Sequence, residues 1–113
     1  MTSHDYFDRE DAEKSCFIEI PKRLIRGKEF RGISPEAKLL YGMMLERMTE
    51  GRTDGLNRVY IYYPIEEIMR DLNCGNQKAI RLLDELEKKA GLIRRRRKGL
   101  GKPGVIYVMK ITN

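Results

Sequence analysis

The sequence predicts an α+β fold: a winged helix-turn-helix with a C-terminal β-hairpin wing and an extra N-terminal strand. Three observations carry this. Two short amphipathic segments flank Asn73-Cys74-Gly75, a break with the length and glycine content that joins the helices of a helix-turn-helix. Two strand-like runs then flank a glycine-rich turn, as in a hairpin. The 113 residues, 41% hydrophobic and 35% charged, suffice for one buried core and not for two.

Residues 1–15 are polar, mostly acidic and without periodicity. They are expected to be disordered or to form an arm that orders on a partner, leaving 16–113 as the folded domain. Cys16-Phe17-Ile18-Glu19-Ile20 reads as a short strand ended by Pro21, and Lys22 to Phe30 as a helical turn around Leu24 and Ile25. Ser34-Pro35-Glu36 is a helix start. The serine caps free amides, the proline needs no partner at the first position, and the glutamate suits the positive end of the dipole. Ala37, Leu40, Tyr41, Met44 and Met48 share one face of that helix, Leu39, Met43 and Leu45 widen it, and Gly51 is the stop. So broad a stripe implies burial on two sides or a dimer contact.

Residues 51–57 read as a loop, and Arg58 to Tyr63 as a β-branched and aromatic strand. Pro64 opens the next helix, with Glu66 and Glu67 in its first turn and Ile65, Ile68, Met69 and Leu72 inward. A third helix spans about Asn76 to Lys89, with Ile80, Leu83 and Leu86 inward and Gly91 as its stop. Leu92 to Arg97 and Val105 to Ile111 form the hairpin strands around a turn at Lys98 to Gly104.

The net charge of +6 is unevenly distributed. Residues 75–113 hold 11 Lys/Arg against 3 Asp/Glu, whereas residues 1–74 hold 12 against 14. A basic third of this kind points to a polyanion, most often nucleic acid. In a winged helix the second helix of the motif enters the major groove by its N-terminal half, and the hairpin touches flanking backbone. Here that helix opens with Asn76, Gln77 and Lys78, and Gln77, Lys78 and Arg81 share an exposed face. An amide reads adenine bidentately and a cation reads guanine. Asp84 and Glu85 make the later turns acidic, so only the first two turns are expected to sit deep in a groove. The hairpin carries Arg94 to Arg97, Lys98 and then Lys102. Strand alternation turns Arg95 and Arg97 to one side and Arg94 and Arg96 to the other, and either pair can reach phosphate. Arg95 and Arg97 are the expected phosphate contacts. Six neutralised phosphates would give a log–log salt slope of about −5.

Other chemistries find no residue set. Two cysteines and one histidine cannot complete a four-ligand zinc site. Gly99-Leu-Gly101-Lys-Pro-Gly104 matches GxGxxG but precedes a strand, not a helix, and Pro103 stands where a P-loop needs Ser or Thr. A single histidine excludes the metal-binding pair of a tyrosine-dependent replication nuclease. Neither a catalytic carboxylate pair nor a cofactor site is expected, and the chain reads as no enzyme. No apolar run approaches the roughly 20 residues of a membrane helix, so the chain is expected in the cytoplasm, away from membranes.

Phe17-Ile-Glu-Ile-Pro-Lys22 and Gly32-Ile-Ser-Pro-Glu-Ala-Lys-Leu-Leu-Tyr-Gly42 resemble the opening of the RepA N-terminal family of plasmid replication initiators. The resemblance continues in order through Gly55-Leu-Asn-Arg-Val-Tyr60, Glu66-Glu-Ile-Met69, Leu72-Asn-Cys74, Lys78-Ala-Ile-Arg-Leu-Leu83, Glu85-Leu86, Gly91-Leu-Ile93 and Gly99-Leu-Gly-Lys-Pro103. It implies a winged helix that binds repeats in a plasmid or mobile-element origin, as a homodimer, in bacteria. By the same resemblance Gln77, Lys78 and Arg81 take the groove role, and Lys98 and Lys102 the wing role. Members of the family continue into a C-terminal region that contacts host replication proteins, which implies such partners beyond these residues. Two other readings of the residues stay open: a winged-helix transcription regulator, and an interaction module with an acidic protein partner.

Overall fold

The computed structural model describes residues 6–14, 17–97, 99–101 and 103–112. Five α-helices and four strands follow one another in it. A short helix α1 (Arg9–Lys14) and a second, α2 (Lys22–Arg26), precede the long helix α3 (Pro35–Arg47). Strands β1 (Arg52–Thr53) and β2 (Val59–Ile61) lead into α4 (Ile65–Leu72) and α5 (Asn76–Asp84), which runs on as a π turn, Glu85–Lys89. Strands β3 (Ile93–Arg97) and β4 (Gly104–Val108) close the domain. The sheet is antiparallel throughout, in the order β1-β2-β4-β3.

Local chemistry accounts for most boundaries. The Ser34 hydroxyl accepts from the Ala37 amide at 3.2 Å and caps α3, with Pro35 in the first turn. Asn73 closes α4 in the left-handed conformation (φ 52°), and the extended Gly75 opens α5, so residues 73–75 form the expected three-residue turn. Past the π turn, Gly91 (φ +66°) supplies the left-handed residue at the helix end, and the Leu92 amide donates to the Leu86 carbonyl at 2.8 Å.

One core joins these elements. Leu24, Leu40, Tyr41 and Met44 meet Ile68, Leu82 and Leu86 and the inner sheet residues Ile61, Ile93 and Ile106, all nearly inaccessible to solvent. The Tyr41 hydroxyl donates to the Met109 carbonyl at 2.6 Å, tying α3 to the chain after β4. Burial raises that phenol above its ordinary value.

Four expectations need correction. The extra N-terminal strand does not form over residues 17–20; Cys16 lies outside the described residues. Instead, this extended segment crosses α3 at Gly42, where an added Cβ would stand within 2.8–2.9 Å of Ile20 and Ile18 side-chain carbons. Alternating apolar residues here serve a helix contact rather than a ladder. The expected N-terminal arm contains the regular helix α1, because Asp8 accepts from the Asp11 amide at 2.8 Å and caps it. The loop at 51–57 contains β1, a two-residue strand held by pairing Arg52 with Tyr60 and Thr53 with Val59. Finally, Ile80 points outward, and the buried stripe of α5 is Ala79, Leu82, Leu83 and Leu86. That is the i, i+3, i+4, i+7 pattern of one helix face.

Candidate nucleic-acid interface

Helix α5 packs its inner stripe against α4 and α3 and exposes the opposite side. Asn76 and Gln77 are exposed in its first turn. Ile80 follows at 41% exposure, and the Arg81 side chain at 62%. Gln77, Ile80 and Arg81 are related by i, i+3 and i+4, so they form one patch on the first two turns. Ile80 was not among the residues expected there. Its position in that register was the available signal, and an exposed aliphatic between an amide and a guanidinium suits a thymine methyl. Lys78 lies to one side, its ammonium 2.8 Å from the Glu36 carboxylate at the start of α3. That hydrogen bond holds the Glu36 carboxyl below its ordinary value.

The carboxylates of the later turns are engaged. Glu85 accepts from both the Ser34 amide (2.8 Å) and the Ser34 hydroxyl (2.9 Å), and only 13% of its side chain is accessible. It therefore ties the end of α5 to the start of α3. Arg81 is 4.0 Å from the same carboxylate, at the outer limit of an ion pair. Asp84 and Glu87 both bind Arg95. Arg95 Nη2 is 2.7 Å from Asp84 Oδ1, Nε is 2.6 Å from Glu87 Oε1, and the Arg95 amide donates to Glu87 Oε2 at 3.2 Å.

The hairpin register explains this difference among the arginines. Arg95 is paired with Ile106, and Ile106 with Ile61, so Arg95 stands on the inner, helix-facing side with Ile93. Arg97 is paired with Gly104 on the same side but is exposed. Arg94 and Arg96 occupy the outer side. The alternation expected from sequence holds, but the fold gives Arg95 two carboxylate partners that Arg97 lacks. Arg95 therefore joins wing to helix. Lys98 and Lys102 lie outside the described residues.

A groove of about 670 Å³ borders α5 on its other flank, lined among others by Arg31, Arg81, Lys88 and Lys89. Lys89 donates to the Gly32 carbonyl at 3.3 Å. Arg31 precedes α3 in sequence and joins this basic surface only through the fold, so composition by region could not single it out. No group of three or more His, Cys, Asp or Glu side chains arranged to hold a metal ion occurs among the described residues. No described helix is long and apolar enough to cross a membrane.

Three helices on a small antiparallel sheet, a three-residue turn before an exposed helix and a basic hairpin beside it define a winged-helix domain. Residues 16–113 match the family described as the replication initiator protein A (RepA) N-terminus, and the chain belongs to that family. A solved structure described as the N-terminal domain of a DNA-binding protein is similar at 28% identity and a TM-score of 0.80, covering 98% of this chain and 88% of the other. A structure of a Rep–DNA complex is similar at 28% identity and a TM-score of 0.78, covering 96% and 88%. A third, described as an MDR initiator, shares the fold at 24% identity and a TM-score of 0.76, again covering 96% and 88%. No curated protein sequence matches the chain.

Proposed function

We propose that this replication-initiator domain binds double-stranded DNA sequence-specifically at the origin repeats of a plasmid or mobile element. The observation that carries the reading is the exposed patch of Gln77, Ile80 and Arg81 on the first two turns of a helix fixed from three sides. A helix docked by its N-terminal half presents such a patch to base edges. Asn76 and Gln77 suit adenine, Ile80 a thymine methyl and Arg81 guanine. Lys78 exchanges Glu36 for phosphate as the duplex approaches. Arg97, Lys98 and Lys102 on the wing hold phosphates on one side, and Arg31 and Lys88 hold them on the other. Phosphate contacts set orientation, and the helix sets sequence.

The domain acts by binding; it makes and breaks no bond and uses no cofactor. It works in the bacterial cytoplasm as a homodimer on repeated sites, and a further region of the protein engages host replication proteins. Selection from a randomised duplex library tests the reading. A single enriched motif is expected, and Arg81→Ala should weaken that motif by about 1–3 kcal/mol while relaxing one base position. Failure to enrich any motif, or equal loss on random duplex, would overturn it.

A further inference from the structure

The outer face of the sheet has no part in the reading above. The register puts Arg52, Tyr60, Tyr107 and Arg94 in one row across all four strands, because each is the direct partner of the next. Side chains paired directly in antiparallel strands share a face. Arg96 and Val105 form the neighbouring row. Val105 is almost inaccessible yet lies apart from the main core. Tyr62 stands edge-on to Tyr60 with ring centroids 5.9 Å apart, and Tyr60 is 5.7 Å from Tyr107. The Arg58 guanidinium lies over the Tyr107 ring at 5.3 Å.

This platform is held in place. Asp54 accepts from the Leu56 and Arg58 amides, from Arg58 Nε and from the Tyr107 hydroxyl, each at 2.9 Å. These bonds, the Arg58 amide foremost, hold the Asp54 carboxyl far below the usual carboxylate range, so it is ionised wherever the protein is folded near neutrality. Its charge is matched by Arg58, and Glu50 lies at the Arg52 edge. Among the described residues no carboxylate forms an ion pair with Arg52, Arg94 or Arg96. The face therefore combines tyrosine rings with a surplus of positive charge.

Arg95 on the inner side contacts α5, so the outer side of the same strand is turned away from it. A duplex seated on α5 leaves this face open. Aromatic rings on a cationic sheet suit unpaired bases, which stack on rings while arginines follow the backbone. A duplex keeps its bases stacked internally and offers the rings nothing. Four strands at about 4.8 Å spacing span roughly 14 Å, room for two or three bases.

We propose that the outer sheet face binds single-stranded DNA, through stacking on the exposed Tyr62 ring, which Tyr60 backs edge-on, and phosphate contacts from Arg52, Arg94 and Arg96. This inference does not rest on the duplex reading for α5. The test uses the whole chain with three labelled probes: a 20-mer of deoxythymidine, the matching oligouridine and a random-sequence duplex. Binding is followed by anisotropy and by intrinsic fluorescence, which in a chain of six tyrosines and no tryptophan reports tyrosine alone.

Deoxythymidine 20-mer should bind, quench tyrosine emission and show a log–log salt slope of about −2 for three phosphates. Tyr62→Ala should weaken it about tenfold, and the pair Arg94→Ala with Arg96→Ala by more. Arg81→Ala, on the opposite side of the domain, should leave it unchanged. Tyr62→Leu, which keeps apolar bulk without the ring, distinguishes lost stacking from lost folding and should fail as Tyr62→Ala does. The proposal is overturned if the deoxythymidine probe does not bind, if Tyr62→Leu binds it normally, or if Arg81→Ala abolishes it. Tighter binding of oligouridine would overturn the choice of DNA over RNA.

Discussion

Replacing Arg95 by alanine separates a structural arginine from a phosphate-binding one. In the folded domain its guanidinium touches two carboxylates at 2.6 and 2.7 Å, with side-chain accessibilities of 32% for Arg95, 39% for Asp84 and 26% for Glu87. Fully exposed pairs contribute about 0–1 kcal/mol, and breaking a fully buried one costs about 3–5 kcal/mol. Groups roughly one-third accessible are partly screened, and the two stranded carboxylates can rehydrate. The expected loss is therefore about 1–2 kcal/mol, a fall in Tm of roughly 5–10 °C for a domain of this size.

The Arg95 contacts also fix the pH signature. The Arg95 hydrogen bond holds the Asp84 carboxyl below its ordinary value. For Glu87, burial pushes upward, but the Arg95 side chain and amide outweigh it and the net direction is down. Carboxyls lowered on folding stabilise above their unfolded pKa values, and that stabilisation disappears as pH falls through the folded values. The Tm gap between wild type and Arg95→Ala should thus be constant from pH 7 to about pH 5 and close below about pH 4. Thermal melts across pH read the gap, and duplex titrations against salt read the phosphate count. Arg95→Ala should leave the salt slope unchanged, whereas Arg97→Ala should reduce its magnitude by about 1 and leave Tm in place. An Arg95→Ala protein with wild-type Tm and a flattened slope would refute the assignment.

Ser34→Ala removes both the cap of α3 and the hydroxyl partner of Glu85, and should lower stability by about 1–2 kcal/mol in a urea melt. Gly91→Ala places a side chain at φ +66° with open space around it, so the cost is backbone strain alone, about 1 kcal/mol by the same measurement. Ile80→Ala, at an exposed position, should leave Tm within about 1 °C while weakening the selected duplex and spreading its preference at one A·T position in a binding-site selection.

The sequence exposes features whose causes are local. Ser34-Pro35-Glu36 announces α3 because cap, proline and dipole partner all act within one turn. Asn73 and Gly75 announce the helix-turn-helix because each suits a backbone conformation at its own position. Strand alternation in Arg94 to Arg97 is equally local, and it holds. What stays hidden depends on who sits opposite. Ile18 and Ile20 alternate like a strand, but whether they pair or cross a helix is decided by Gly42, more than 20 residues on. Two residues of β1 carry no pattern at all, and only their partners Tyr60 and Val59 make them a strand. Arg95 and Arg97 are indistinguishable in sequence. One meets Asp84 and Glu87 only because the π turn brings Glu87 back over β3.

That hidden pairing also resolves the acidity of α5. Carboxylates on a helix that faces DNA should repel it, and the sequence places Asp84, Glu85 and Glu87 in one short stretch. Each meets a partner on another element: Asp84 and Glu87 the wing, Glu85 the start of α3. Negative charge at the rear of the helix thus fixes its orientation relative to the hairpin. In the proposed duplex complex, a phosphate approaching the front would meet Arg81, Lys78 and Arg97 instead. Rigid placement of wing against helix matters for a reader of base edges, because a base contact and a phosphate contact must be satisfied together. Among four consecutive arginines, one secures that geometry, while Arg94 and Arg96 face the outer side of the sheet and Arg97 stays exposed on the inner side.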